Sequence, residues 1–344
     1  MQLNSSRSAR ARSLLLVQLV MLPLALLAAL SLGSVSLGLE QSLAALFNPE
    51  QGGQATAIVQ QIRLPRALMA ALVGAMLGIS GAAMQGIFRN PLADPSLIGV
   101  TAGATLGASL VIALAGHWTE GIGGLSLVSV GAFSGGIVAV LVVYRLARVD
   151  TGTSVATMLL AGIAITALAG ACGNILELFS SNETLRRISL WRMGGLDGAD
   201  YPRTAVALVA TLACCVALPR FATALNALLL GESEARYLGV DVERTKSLII
   251  LLVALAVGCS VALAGTIAFV GLVVPHMVRL LIGPNHRYLL PASALAGAIL
   301  LLVADTLART VIAPTELPVG VVTALVGVPF FVSLLRRRRD YGMG

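Results

Sequence analysis

Charged and aromatic residues are scarce in this sequence. Only 11% of its 344 residues are Asp, Glu, Lys or Arg and only 4% are Phe, Trp or Tyr, whereas 57% are hydrophobic. A soluble globule of this length needs more polar surface than that composition supplies. Apolar runs of about 18 or more residues recur along the chain, and runs of that length span a membrane as helices. The composition therefore excludes a soluble protein and predicts an integral membrane protein.

The sequence also lacks the patterns of nucleotide-binding and catalytic proteins. The phosphate-binding pattern G-x-x-x-x-G-K-[ST] is absent, and the single lysine, Lys246, follows a threonine. The histidines lie in three different segments, and the cysteines fall inside apolar segments without metal-ligand spacing. These residues are His117, His276 and His286, and Cys172, Cys214, Cys215 and Cys259. The sequence therefore predicts no ATPase, hydrolase, redox or metal site in this chain, and no cofactor of its own.

Hydropathy predicts a single membrane domain, residues 1–344, with ten spanning helices. The first is an apolar stretch from about Leu14 to Leu39, after Arg7, Arg10 and Arg12. It is longer than the apolar core of about 15 residues found in signal peptides, so it is predicted to be retained. The other nine helices are expected at roughly 66–88, 97–115, 125–146, 155–179, 203–219, 248–264, 267–283, 289–308 and 317–335. The predicted fold class is therefore all-α.

Basic residues are distributed unevenly between the two sides that this topology implies. With a cytoplasmic N-terminus, sixteen of the 23 basic residues face the cytoplasm, as the positive-inside rule requires. An even number of helices then places both termini in the cytoplasm. Because the basic residues flank hydrophobic runs and aromatic residues are few, the net charge of +7 indicates membrane topology and not nucleic-acid binding.

The most polar interior stretch, residues 221–247, separates the sixth and seventh helices. Seven of the fifteen residues from Glu232 to Lys246 are charged, so this stretch cannot span a bilayer. Apolar residues such as Leu225 and Leu228 nevertheless recur at helical spacing, and Gly231 and Gly239 lie where short helices would end. The pattern predicts two short amphipathic helices on the cytoplasmic side.

Three other polar segments interrupt the apolar pattern. The loop Asn90–Pro95 is a strong break, since each of its prolines disfavours helix at the preceding residue. The turn Asp150–Ser154 offers N-caps to the fifth helix. The segment Thr184–Met193 is predicted to be a short helix at the external surface that ends at Gly194.

Glycines recur at intervals of three to five residues in the second and third predicted helices. Small residues at such spacing allow helix backbones to approach closely. We therefore expect tight helix packing at Gly74, Gly78, Gly81 and Gly86, and at Gly99, Gly103 and Gly107.

Charged residues mark the external ends of two predicted helices. Arg63 and Arg66 are expected to begin the second helix, with Pro65 in its first turn. They would either form a positive patch that binds carboxylates of another protein, or extend to the membrane interface. Asp305 and Arg309 are four residues apart, which favours a helical ion pair over a transport role for the carboxylate.

Several separate motifs together resemble one family over nearly the whole chain. They are RLPR from Arg63 to Arg66, GISGAAMQ from Gly78 to Gln85, NPLADP from Asn90 to Pro95, Gly99, LLGESEARYLG from Leu229 to Gly239, and GTIAFVGLVVPH from Gly265 to His276. This set is similar to the permeases of ABC importers for iron complexes and cobalamin, the type II importers. The resemblance implies a ten-helix subunit in the bacterial inner membrane that forms a homodimer. It also implies two ATPase subunits, which hold ATP and magnesium, and a periplasmic substrate-binding protein.

The resemblance also assigns roles to residues by position. Coupling helices that contact the ATPase would include Leu228, Leu229, Gly231, Glu232, Ala235, Leu238 and Gly239. Docking of the binding protein would use Arg63, Arg66 and Arg309. A cytoplasmic gate would involve Asn90, Leu92, Thr151, Thr153 and Ser154, and the fifth helix would line the pathway with Cys172, Asn174 and Glu177.

The expected cargo is a bulky iron chelate. The turns Trp191–Leu196 and Gly86–Asn90 look more like the haem branch of the family than the cobalamin branch, so haem is favoured over ferric siderophores and cobalamin. His276 lies in a motif shared by members with other cargoes, which favours packing or helix capping over haem ligation. An ion-coupled secondary transporter is the alternative of another class, and it would need essential carboxylates at Glu177 and Asp305.

Overall fold

A computed structural model describes residues 2–35, 37–48, 53–115, 122–149 and 152–340 of the chain. Within these ranges the protein is helical except for one short ribbon. The α-helices are α1 (Gln2–Ser31), α2 (Leu39–Phe47), α3 (Gln54–Ala57), α4 (Leu64–Ile87), α5 (Val100–Leu114), α6 (Ile122–Ala147), α7 (Val155–Leu178), α8 (Asn182–Arg192), α9 (Tyr201–Ala217), α10 (Ala222–Leu228), α11 (Glu232–Tyr237), α12 (Val242–Ala264), α13 (Val270–Ile282), α14 (His286–Thr310) and α15 (Val319–Asp340). A π-helical turn covers Ile58–Arg63, and 3₁₀ turns cover Pro95–Ile98 and Leu218–Phe221.

Seven helical stretches among the described residues are long and apolar enough to cross a membrane. Three shorter apolar helices accompany them, Val100–Leu114, Val270–Ile282 and Val319–Ser333. The prediction of a helical membrane protein is thereby confirmed. The number of helices that cross the bilayer remains a prediction.

Three helix boundaries differ from those predicted. The first helix ends at Ser31 and not near Leu39, and a separate helix, α2, begins at Leu39. Helical structure before the second predicted span begins at Gln54, twelve residues earlier than expected. The seventh span begins at Val242 and not at 248, because the Asp241 side chain accepts a hydrogen bond from the Arg244 amide and caps the helix.

Pro65 lies inside a continuous helical stretch and not at its start. The Leu64 amide donates to the carbonyl of Val59, five residues earlier, which closes the wide turn of a π-helix. Proline has no amide hydrogen to continue the regular pattern, so the widened turn comes directly before it. The turn brings the Arg63 side chain into the protein interior, where it is buried.

Glycines let α4 approach its neighbours at backbone contact. A Cβ added at Gly74 would lie 2.2 Å from the carbonyl oxygen of Gly297 in α14, and one at Gly78 would lie 2.2 Å from that of Ser293. Gly107 of α5 approaches the carbonyl of Gly131 in α6 in the same way, at 2.1 Å. The predicted close packing is confirmed at these positions. Gly99 serves a different purpose, because its φ of +80° makes the turn between Pro95–Ile98 and α5.

The polar segments adopt the local structures that the sequence indicated. Ser154 caps α7 through the Thr157 amide, and Ser181 caps α8, the predicted surface helix. Before α7, the strands β1 (Arg148–Val149) and β2 (Gly152–Thr153) form an antiparallel ribbon that the sequence did not suggest. Asp150 and Thr151, between these strands, lie outside the described residues.

Candidate coupling, gating and docking sites

The segment between α9 and α12 contains the two short helices that the sequence predicts. Gly231 separates α10 from α11 with a φ of +137°, and Gly239 follows α11 with a φ of +83°. Side chains other than glycine rarely adopt these backbone angles. The structure thus confirms that both bends depend on glycine.

The two faces of these short helices have different surroundings. Leu228 and Ala235 are buried against the protein's own helices, so these two predicted coupling residues are not available to a partner. By contrast, Leu238 is 65% exposed, and so are its neighbours Leu230 at 67% and Tyr237 at 92%. We call Leu230, Tyr237 and Leu238 the apolar crest. Sequence reasoning missed Leu230 and Tyr237. Helical spacing could have found them, because each lies two positions, or about 200°, after a buried residue, Leu228 and Ala235.

The helix α10 is fixed to the start of α14 by a cluster of polar groups. The Asn226 side-chain oxygen accepts a hydrogen bond from the His286 amide at 2.8 Å and lies 3.0 Å from Nδ1 of the same residue. The Asn226 amide nitrogen donates to Oδ1 of Asn285 at 2.9 Å. His286 is fully buried and lies against Gly86 near the end of α4. Predicted residue Leu229 is half-buried at the end of this anchored helix.

The predicted gate residues lie after the C-terminal end of α4 and just before the start of α7. The Asn90 side chain accepts a hydrogen bond from the Leu92 amide at 3.0 Å and so shapes the turn after α4. Burial raises the pKa of the Asp94 carboxyl in the same loop, while its hydrogen bonds with Ser96 act in the opposite direction. The turn Pro95–Ile98 then contacts α7, where a Cβ added at Gly162 would lie 1.9 Å from the Leu97 carbonyl.

On the α7 side of this gate, Thr153 is buried and Ser154 forms the helix cap. Thr151, the remaining predicted gate residue, lies outside the described part of the chain. The structure therefore brings the loop after α4 into contact with α7.

A groove of about 770 Å³ runs along α5 and α7. Asn174 and Glu177 line it as predicted, whereas Cys172 is exposed but is not among the lining residues. At one end of the groove, Glu177 forms an ion pair with Arg192 of α8 at 2.8 Å. Further polar residues, which sequence reasoning missed, also line the groove, among them Thr101, Thr105 and Thr166. The first two come from α5, which was not expected to contribute.

The three predicted docking arginines are buried in a network of ion pairs and hydrogen bonds, and their role in docking remains a prediction. Arg66 Nε lies 2.9 Å from Asp305 Oδ1, and Arg66 Nη1 lies 2.7 Å from Glu316 Oε2. Arg309 Nε lies 3.1 Å from Asp305 Oδ2, which confirms the predicted ion pair. We call Arg63, Arg66, Asp305, Arg309 and Glu316 the arginine network.

Backbone carbonyls at the end of α1 complete this network. Arg63 donates to the carbonyls of Leu30 at 2.7 Å and Ser31 at 2.9 Å, and also to that of Val35. Arg309 Nη2 donates to the carbonyl of Ala29 at 3.1 Å. Helix ends leave such carbonyls without partners inside the helix. The arginines are buried because these carbonyls and Asp305 supply the acceptors that water would otherwise provide.

Comparison with known proteins identifies relatives over almost the whole chain. Residues 21–337 match the model of the FecCD transport family. The hemin transport system permease HmuU of Yersinia pestis is 45% identical over 322 residues, which is 93% of this chain and 96% of that protein. The cobalamin import system permease BtuC of Halobacterium salinarum is 45% identical over 284 residues, covering 83% of this chain and 74% of that one.

A solved structure shows the same architecture. It is an inward-facing conformation of a metal-chelate type ABC transporter, with a TM-score of 0.84 and 32% sequence identity, and it covers 95% of this chain and 99% of that one. The family model and the curated relatives each cover well over half of the sequence. By its sequence and its fold, the chain is a member of the FecCD transport family.

Proposed function

We propose that this chain is the permease subunit of an ATP-driven importer for a bulky metal chelate. The apolar crest is the observation that carries the proposal. Three large apolar side chains are exposed at the C-terminal ends of two short helices whose bends depend on glycine. Exposed apolar groups of this kind mark protein contacts. In the proposed assembly they enter a cleft of a separate ATPase, of which two copies serve a homodimer of this chain.

The proposed mechanism is a population shift between two states of the permease dimer. ATP binding closes the two ATPase subunits, and the coupling segment moves with them. This movement opens one end of the groove along α5 and α7 and closes the other. ATP can drive such a change only if it binds one state more tightly than the other.

The proposed orientation places both termini and the coupling segment in the cytoplasm of a bacterial cell. Ten spans in the inner membrane would comprise the seven long helical stretches together with the three shorter apolar helices. The excess of basic residues on the predicted cytoplasmic side supports this arrangement.

For docking, we propose that the arginine network lies at the periplasmic surface and meets carboxylates of the binding protein. Because Arg63, Arg66 and Arg309 already have acceptors within the chain, docking through them requires the partner's carboxylates to replace some of those acceptors. Charge-assisted contacts of this kind weaken as ionic strength rises. Affinity for the binding protein that does not change with salt concentration would contradict this role.

Haem is the proposed cargo, with a ferric siderophore or cobalamin as the alternatives. The relative with the longest match among those named above is a hemin permease, which supports the choice. Uptake into proteoliposomes that contain the reconstituted importer, with its cognate binding protein outside, would test it. We expect ATP-dependent uptake of haem that excess cobalamin does not reduce. Preferential uptake of cobalamin would contradict haem as the cargo.

An ion-coupled carrier is less well supported by the geometry. The two carboxylates that it would use are both paired, Glu177 with Arg192 and Asp305 with Arg66 and Arg309. If Glu177→Gln transports normally and transport requires ATP, the carrier hypothesis is excluded.

Replacing Tyr237 with alanine should weaken binding of the ATPase. Removal of a large aromatic side chain from the centre of an interface costs about 2 kcal/mol, or about 30-fold in Kd. The Kd between the purified permease in nanodiscs and the ATPase subunit would be measured by bio-layer interferometry. Phe179→Ala is the matched control, since Phe179 is 84% exposed but follows the C-terminal end of α7, whereas α11 is linked through Lys246 to Thr153, before the N-terminal end of α7. Equal affinities of the two variants would contradict the proposed contact.

A further inference from the structure

Lys246 is buried although lysine is a strongly hydrated cation. Only 1% of its side chain is exposed, in the second turn of α12. Its Nζ donates to the Thr153 carbonyl at 2.7 Å and lies 3.1 Å from Glu232 Oε2 and 2.8 Å from Glu243 Oε1. Hydrogen bonds to Thr153 and Glu232 and the ion pair with Glu243 together surround the ammonium group with acceptors. The burial is therefore compensated by specific contacts.

Glu243 completes the attachment of Thr153. Its Oε2 accepts a hydrogen bond from the Thr153 amide at 2.6 Å, so side chains of α12 bind both backbone groups of that residue. The preceding Gly152 has a φ of +125°, and a Cβ there would lie 2.6 Å from Glu243 Oε1. The strand β2 of the ribbon is thus in direct contact with the side chains of Lys246 and Glu243.

The contacts of Lys246 join α11, α12 and the ribbon at a single buried group. Glu232 is the first residue of α11, Glu243 lies in α12, and Thr153 ends the ribbon one residue before the cap of α7. The helix α7 in turn forms one wall of the groove. The other short helix, α10, is attached elsewhere, to α14 through Asn226. The two short helices are therefore fixed to different parts of the protein.

We propose that Lys246 is a positioning residue that transmits movement of α11 to the ribbon and to α7. The proposal rests on the proposed function, in which the ATPase moves α11. The Lys246 ammonium binds both Glu232 and Thr153, so a displacement of Glu232 also displaces Thr153. The start of α7 therefore moves with α11. Without the ammonium, the link between Glu232 and the Thr153 carbonyl is lost, and α11 moves without the ribbon.

The variant Lys246→Met tests this role, because methionine keeps most of the aliphatic stem and removes all three donors. In proteoliposomes with the ATPase and the binding protein, we expect ATP hydrolysis to continue while haem transported per ATP falls about tenfold, a typical size for coupling between sites. Arg236→Met is the matched control. Arg236 lies near the same glutamates, at 3.8 and 3.7 Å, but its side chain is half-exposed and both of its ion pairs are with glutamates of α11 and α12. That variant should keep the normal ratio.

Hydrogen exchange of the ribbon gives a readout that a merely structural role would not change. In the wild-type complex, ATP should alter deuterium uptake in the peptide covering 152–158, and in Lys246→Met this ATP-dependent difference should disappear. If Lys246→Met does not assemble, Glu232→Gln replaces it, since this variant keeps the lysine and removes the charge on α11. Normal transport per ATP, or a normal ATP-dependent change in the ribbon, would overturn the proposal. Failure of the proposed function would appear separately, as wild-type complex that takes up no substrate with ATP.

Discussion

Replacing Asp305 with asparagine is expected to destabilise the protein by about 3–5 kcal/mol, the usual result of removing one partner from a buried ion pair. Asparagine has nearly the same shape as aspartate, so the loss of stability measures the effect of removing the negative charge. Arg66 keeps Glu316 and Arg309 keeps the carbonyl of Ala29, but the carboxylate that separates the two buried guanidinium groups is gone. The two cations then repel each other in a site with little water.

Thiol labelling during heating measures this effect with the chain's own cysteines. Cys214 and Cys259 are buried and react only when the protein opens, while the exposed Cys172 and the half-buried Cys215 are removed beforehand as Cys172→Ser and Cys215→Ser. Glu316→Gln is the control, because Glu316 is exposed and pairs with the same arginine. Loss of an exposed pair costs at most about 1 kcal/mol. If both variants unfold at the same temperature, the network does not contribute as described.

Replacing Gly81 with alanine is expected to cost about 3 kcal/mol, near the upper end for an overpacked core. The new Cβ would lie 1.8 Å from the carbonyl oxygen of Gly271, which is backbone and cannot rotate away. The helices α4 and α13 must separate, and this lengthens the hydrogen bond from Gln85 to the Leu272 carbonyl, now 3.1 Å. In the same thiol-labelling assay, the buried cysteines of Gly81→Ala should become reactive at a lower temperature than those of the parent protein.

Gly170→Ala provides the comparison for that variant. Gly170 lies in α7, and a Cβ there would have no neighbour within 4 Å in the chain. Alanine favours helix over glycine by about 1 kcal/mol, so this variant should be as stable as the parent protein or more stable. A Gly81→Ala protein with equal stability to Gly170→Ala would contradict the contact between α4 and α13.

Features that depend on neighbouring residues could be predicted from the sequence. The short helices around Gly231, the cap at Ser154, the surface helix α8 and the Asp305–Arg309 pair each follow from spacings of a few residues. The same local reasoning placed Pro65 in the first turn of α4, as the structure has it, but missed the π-helical turn before it, because a proline after a π-turn and a proline after a loop have the same sequence signature.

Features that depend on how distant helices meet could not be predicted. Arg66 and Asp305 are 239 positions apart, so nothing in the sequence shows that the arginine would be neutralised inside the chain. Lys246 looked like one more charge in a polar loop, although its burial depends on Thr153, 93 positions earlier. The hydroxyl groups of α5 enter the groove for the same reason, since their direction is set by the packing of α5 against α7.

The glycine contacts have a consequence for how this protein can change shape. Where backbones touch, as between α4 and α14 and between α5 and α6, the nearest atoms include backbone carbonyls, which cannot change rotamer to absorb sliding. Each of these helix pairs therefore behaves as one rigid body. The degrees of freedom that remain lie between the bodies, where contacts are made by side chains, and a hinge in this chain belongs there and not within either pair.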